Sequence, residues 1–173
     1  MKWINHVAIA GATTAVVSPI MAPVAILGAT APDWIEWIIK GCGGHVRHRQ
    51  TTHYVAVWLI ALGALWAFDP TGIGAAFAYG GLTHTLTDAM TVTGVPFSPL
   101  SSQRFHLFGG RFRTGDAVEY GIAFGIVAIC AAIALATSSW HGGWAPFFYD
   151  WAGLYGSGVV DGIEWRMNRF RFF

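Results

Sequence analysis

Residues 117–137 read AVEYGIAFGIVAICAAIALAT, apolar throughout apart from Glu119. A helix needs roughly 20 such residues to cross a hydrocarbon core, so this stretch sets the class of protein. The rest of the chain shares its character. Of 173 residues, 54% are hydrophobic and 11% charged, against about 25% charged in ordinary soluble domains. Mean hydropathy is +0.50. Ten Lys and Arg with nine Asp and Glu cannot cover a compact body of this size, so lipid is expected to do much of the covering. The length suits one domain. Cys42 and Cys130 lie far apart and form no disulfide framework. The opening Met-Lys-Trp-Ile-Asn-His does not read as a cleaved signal, because His6 interrupts the apolar run.

Further apolar runs span residues 3–17, ending at Ser18-Pro19, and 20–39, ending at Lys40-Gly41. Thr52 is a candidate cap for a run over 53–68 that Asp69-Pro70 stops, and a Gly- and Ala-rich run follows over 73–92. A long polar loop over 93–115 precedes the 117–137 stretch, and a turn at 138–143 leads to a weaker run over 144–160 and a basic, aromatic tail, 166–173. Small residues in several runs suit close helix packing in lipid. The expected fold is all-α: a polytopic membrane bundle of about six hydrophobic helices forming one domain over residues 1–173. If each run crosses, Lys2, Lys40, Arg47, Arg49, Arg104, Arg111, Arg113, Arg166, Arg169 and Arg171 all fall on one side. The positive-inside rule makes that side, with both termini, cytoplasmic. A multi-pass protein of the inner membrane is the expectation.

On this topology the His and acidic residues gather at one depth. Asp33 and Glu36 lie near the end of the second run, His48 and His53 just after it, and His84 and Asp88 in the fourth. Ionisable groups at membrane depth mark functional sites by default. His84 and Asp88, four apart, share a helix face, a spacing that suits two ligands of one metal ion. Asp33 and Glu36 share a face by the same geometry. Imidazole with carboxylate suits zinc, manganese or iron, and several such groups together suit a two-metal site that clamps a phosphate. Structural readings compete. Asp116 with Glu119 can be a capping box. His106, between Arg104 and Arg111, reads as a solvated or headgroup residue, His45 as incidental, and His141 lies on the far side.

The segments Ala31-Pro32-Asp33, His48-Arg49-Gln50-Thr51-Thr52-His53, Leu82-Thr83-His84-Thr85-Leu86-Thr87-Asp88, Thr91-Val92-Thr93-Gly94-Val95-Pro96 and Arg113-Thr114-Gly115-Asp116 occur in that order. Together they resemble the bacterial inner-membrane metal-dependent hydrolases, a family also labelled LexA-binding. The resemblance covers His6 to Glu119 and implies a helical membrane protein with a divalent-metal site. The family is similar, more distantly, to zinc-dependent phospholipases C and single-strand nucleases, which are all-helical and bind a zinc cluster. By position, the resemblance implies His6, Asp33, His48, His53, His84 and Asp88 as ligands, with Glu119 in addition. The family often shows Pro-Asp-x-Asp. Here Ile35 holds the second acidic position and Glu36 follows it.

The expectation is therefore a metal-dependent hydrolase acting on a phosphate ester, phospholipid-like, at the cytoplasmic interface. His6, Asp33, His53, His84 and Asp88 are the expected metal ligands, for zinc ahead of manganese or iron. His48, Glu36 and Glu119 are the expected catalytic groups, and water is the nucleophile because a bound divalent ion brings its pKa to about 7. Arg49, Arg104, Arg111 and Arg113 are expected to bind phosphate, since guanidinium pairs with its oxygens bidentately. Membrane lipid and a phosphate-bearing substrate are the expected partners; no nucleic acid is expected. A non-enzymatic adaptor, holding a protein partner or anionic lipid through basic loops and tail, is the alternative. A transporter ranks lower, because the far half carries few polar groups beyond Thr13, Thr14 and Ser18.

Overall fold

The computed structural model describes residues 1–101, 103–141, 155–159 and 161–164. Five α-helices carry the fold: α1 (Trp3–Val17), α2 (Ala22–Gly41), α3 (Val55–Phe68), α4 (Ile73–Ala89) and α5 (Ala117–His141). The apolar runs become helices, and the breaks between them follow local chemistry. Ser18 ends α1, its N–H bonded to the Thr14 carbonyl at 2.7 Å. Pro19 then opens a 3-10 turn, Pro19–Met21. A second 3-10 turn, Thr51–His53, delivers His53 to the interior. Trp58 of α3 holds that turn, donating its indole N–H to the Thr52 carbonyl at 2.8 Å.

Helices α2 and α4 meet backbone to backbone. A Cβ on Gly28 would lie 2.0 Å from the Phe77 carbonyl oxygen, and one on Gly80 would lie 2.0 Å from that of Ala25. Only glycine permits this approach. Around the crossing, Ala31, Val55, Trp58, Ala78, Leu82, Ala89 and Val95 form the main apolar core. The loop over 93–115 is built rather than free. Val95–Pro96 (β1) pairs antiparallel with Arg104–Phe105 (β2), and the Leu107 N–H reaches the Ala89 carbonyl at 2.8 Å. Val95 is fully buried and Phe112 nearly so. A second cluster of Met1, Ile9, Phe112 and Ala123 joins α5 to α1.

The structure corrects the expected topology. Among the described residues one helical stretch, Ala117–Ala136, is long and apolar enough to cross a membrane; the bundle of about six crossings and the multi-pass reading fall. Helices α1 and α3, of 15 and 14 residues, rise only ~22 and ~21 Å at about 1.5 Å per residue. The hydrocarbon core is about 30 Å thick. Helix α2 has 20 residues but carries Asp33, Glu36 and Lys40, while α4 has 17 and buries His84 and Asp88. Of the described basic residues, Lys2, Arg47, Arg49, Arg104, Arg111 and Arg113 lie outside the helices and Lys40 in the last turn of α2, so their segregation does not require alternating crossings. The sixth run, 144–160, lies largely outside the described residues, and the basic tail, 166–173, entirely so.

Candidate metal centre

Among the described residues, the largest fully buried side chains are polar: His6, His53, His84, Glu36 and Glu119 head the set. Buried polar groups need partners, so the pairing of each atom decides its role. Four groups converge where α2, α4 and the Thr51–His53 turn meet. His53 Nε2 lies 3.5 Å from Asp33 Oδ1 and 4.0 Å from Asp88 Oδ2. His84 Nε2 lies 4.0 Å from Asp33 Oδ1 and 3.7 Å from Asp88 Oδ2. Asp33 Oδ1, His53 Nε2 and His84 Nε2 are all buried without a hydrogen-bond partner.

Each histidine is held by its other nitrogen. His84 Nδ1 sits 2.6 Å from the Ala29 carbonyl oxygen; a carbonyl only accepts, so Nδ1 carries the proton and Nε2 presents its lone pair. The glycine crossing makes this possible, because Gly80 brings α4 against the Ala25–Ala29 turn of α2. His53 Nδ1 sits 3.2 Å from Glu36 Oε1 and 3.0 Å from Thr52 Oγ1, which again turns Nε2 inward. Such outer hydrogen bonds are the usual means of fixing a metal-binding imidazole.

The electrostatics match that arrangement. Burial, then the neighbouring His6, lowers the pKa of His84 well below the ordinary imidazole value. Burial also lowers that of His6. Both rings are neutral at neutral pH. Burial alone would raise the two aspartates, but the His53 contact and the fields of His84 and His53 hold Asp33 down at about 2. Asp88 is held low, against burial, chiefly by His6 and His84. Two carboxylates and two imidazoles suit a divalent ion of the zinc type. A tetrahedral ion with bonds of about 2.0–2.1 Å holds its ligand atoms ~3.3 Å apart, close to the spacings seen here. His6, His84 and Asp88 form a second trio with mutually close ligand atoms. His6 Nε2 lies 3.4 Å from Asp88 Oδ1, its Nδ1 2.7 Å from Thr87 Oγ1.

A family model described as YdjM inner membrane protein matches residues 1–155. The chain belongs to that family. Its name supports placement in the inner membrane. Neither a curated protein nor a solved structure matches the chain.

Not every residue singled out in this YdjM-family sequence reaches the centre. Glu36 lies outside it as an organiser. It accepts from His48 Nδ1 at 2.9 Å, the Arg49 N–H at 3.1 Å and Thr52 Oγ1 at 3.0 Å. Glu119 also lies outside. Its oxygens are taken by the Lys2 N–H, Asn5 Nδ2 and the Gly115 N–H, at 2.5, 2.5 and 2.6 Å. The expected capping partner, Asp116, instead accepts from the Arg113 N–H at 2.7 Å. His48 stands at the rim, with its side chain 60% exposed and Nδ1 3.9 Å from Asp33 Oδ1. His106 turns away, its Nδ1 3.4 Å from the Thr91 carbonyl oxygen.

Of the four arginines, Arg49 reaches in. Its guanidinium grips Asp88, with Nε 2.9 Å from Oδ2 and Nη2 3.1 Å from Oδ1. It does so from a left-handed backbone, φ 57°, uncommon for a non-glycine residue. Arg104 stands behind, donating to the carbonyls of Arg49 and Gly94 at 3.2 Å each. Arg111 and Arg113 are exposed. An open cleft of about 730 Å³, lined by Trp3, Trp37, His48 and Arg49 among others, leads in to Asp33 and Asp88. Sequence reasoning missed Trp3, whose indole N–H donates to Asp33 Oδ2 at 2.5 Å. A signal existed: Trp3 and His6, three apart, share a face of α1. The Ala29 carbonyl had none.

Proposed function

We propose that this protein is a metal-dependent hydrolase of a phosphate ester, working at the cytoplasmic face of the inner membrane. One observation carries the reading: Asp33 Oδ1, His53 Nε2 and His84 Nε2, buried and unpartnered, converge beside the ionised Asp88. Partnerless buried acceptors facing one another are costly, and a cation satisfies all of them together. A bound divalent ion would supply Lewis acidity, neutralising phosphate charge and making a nearby water more acidic.

The remaining work falls to side chains of this chain. Asp33, His53, His84 and Asp88 would hold the ion, with Glu36 and the Ala29 carbonyl keeping the imidazoles in register. Arg49 would pair with phosphate oxygens in the cleft. His48, steadied by Glu36, would accept the proton of the attacking water. The water oxygen would bond to phosphorus as the ester P–O bond breaks, and the departing alkoxide would take up the proton that His48 accepted. Arg104, Arg111 and Arg113 lie directly before α5, which argues for a cytoplasmic start to that helix.

The test is elemental analysis of detergent-purified protein beside a folded His84→Ala, Asp88→Ala double variant. Stoichiometric zinc, manganese or iron in the first and none in the second is the expected outcome, with turnover of a phosphate ester lost in parallel. No metal in either, even after reconstitution, would remove the mechanism and leave the adaptor reading in front.

A further inference from the structure

The outer end of the cleft is unlike its inner end. Its inner wall holds Asp33, Asp88 and Arg49, while its rim holds Trp3, Ile4 and Trp37. Trp3 and Trp37 stack with ring centroids 5.3 Å apart. All three rim residues face outward, Ile4 at 63% and Trp37 at 61% relative exposure. Large apolar side chains left in the open beside a polar pocket mark a surface that meets something apolar. Tryptophan in particular sits where hydrocarbon gives way to headgroups.

The level of the rim relative to the membrane follows from α5. Lys2, at the rim, donates its backbone N–H to Glu119 in the first turn of α5, and its ammonium lies over the Tyr120 ring, 5.7 Å from the centroid. Thr114, three residues before α5, also lines the cleft. The cleft therefore opens beside the Glu119 end of the one described stretch long enough to span a bilayer, Ala117–Ala136. That is headgroup depth. Lys2 and Arg49 provide cationic groups for an anionic headgroup, and Trp3, Ile4 and Trp37 provide apolar contact for what hangs from it.

We infer that the cleft takes a membrane phospholipid from the side, its phosphate directed inward and its acyl end leaving across the Trp3–Ile4–Trp37 rim into the bilayer. The inference rests on the phosphate-ester reading for its chemistry, but the rim's contact with lipid can be measured separately. The occupant is a lipid, not a free phosphate. A water-soluble ester would gain nothing from the exposed rim, whereas an acyl chain would bury it, and apolar contact of that size changes selectivity by about 10-fold or more.

The full-length, metal-loaded protein is placed in nanodiscs of phosphatidylethanolamine and phosphatidylglycerol doped with phosphatidic acid. Two readouts are taken. The first is turnover of phosphatidic acid against soluble glycerol phosphate, for the native chain and for an Ile4→Asn, Trp37→Ala variant. The second is quenching of tryptophan emission by lipids brominated near the headgroup end of the acyl chain, native chain against Trp37→Phe. The expected result is a preference for the lipid of about 10-fold or more that falls toward one in the double variant, together with a quenched component lost in Trp37→Phe. Equal turnover of both esters with no such component overturns the inference and leaves the hydrolase standing. A quenched component without turnover of either ester overturns the hydrolase and leaves the lipid contact. Absence of both overturns both.

Discussion

The end of α4 and the start of α5 each bury an acid, and only the first lies beside acceptors left without a donor. Asp88 of α4 looks toward imidazole nitrogens of His6, His53 and His84 and is met by two cations, the Met1 ammonium and the Arg49 guanidinium. Glu119 of α5 looks toward N–H donors of Lys2, Asn5 and Gly115. Both are essentially inaccessible to solvent. Burial therefore does not separate a metal ligand from a structural carboxylate; the character of the facing atoms does. Beside Asp88, Asp33 Oδ1, His53 Nε2 and His84 Nε2 are left facing one another without a donor, and a cation would satisfy them. Around Glu119 the donors suffice, and the acid fastens the membrane helix to α1.

The sharpest way to break that comparison is to remove each acid alone. Asp88→Ala is expected to abolish metal binding and turnover. Glu119→Ala is expected to leave the metal content intact while destabilising the fold by about 1–3 kcal/mol, the usual cost of stranding buried donors. Elemental analysis and thermal unfolding of both variants decide it. Metal lost from Glu119→Ala, in protein that remains folded, would merge the two regions into one site.

The regions should also differ in their response to acid. His6 and His84 have folded pKa values below the ordinary 6.5, so the unfolded chain takes up protons that the folded chain refuses. Stability is then fully present above about pH 6.5 and is lost as pH falls below it. The loss grows as pH falls further, with the larger share from His84, whose folded value lies well below the ordinary one. The groups around His84 are His6, His53, Asp33 and Asp88, and Asp33 stays ionised down to about pH 2. No compensating carboxyl protonation therefore intervenes between pH 7 and 5. In metal-stripped protein the unfolding temperature is expected to drop over that range, and His6→Gln to make the drop shallower. A flat profile would mean that these rings are already charged in the folded state.

Much of this was legible in the sequence. The run over 3–17 became α1 as drawn, and residues 53–68 and 73–92 became α3 and α4 with ends displaced by a few residues. Apolar content and the Ser-Pro and Asp-Pro breaks carry that information locally. The number of crossings did not follow, because a helix of 14 or 15 apolar residues has the composition of a span without its reach. The i,i+4 pair His84 and Asp88 was likewise legible, being a property of one helix. The roles of Glu36 and Glu119 were not. Each depends on which atoms of other segments arrive opposite its oxygens: the 48–53 turn for Glu36, and the start of α1 for Glu119.

Glu36 gives the finest test, because it is an acid at the centre without belonging to it. One of its oxygens lies 3.2 Å from His53 Nδ1, and the same oxygen takes the Thr52 hydroxyl and the Arg49 N–H. The other takes His48. Glu36→Gln keeps the shape and removes the negative charge, so it lowers the basicity of the His53 imidazole without removing the ring. Outer-shell changes of this kind typically reduce metal affinity about 10–100-fold, well short of the loss expected for Asp88→Ala. A competitive chelator titration of Glu36→Gln beside the native chain measures the difference. Unchanged affinity would make Glu36 a loop anchor only, comparable with Glu119. Complete loss would make it a ligand, moving the line between the two kinds of acid onto α2 itself.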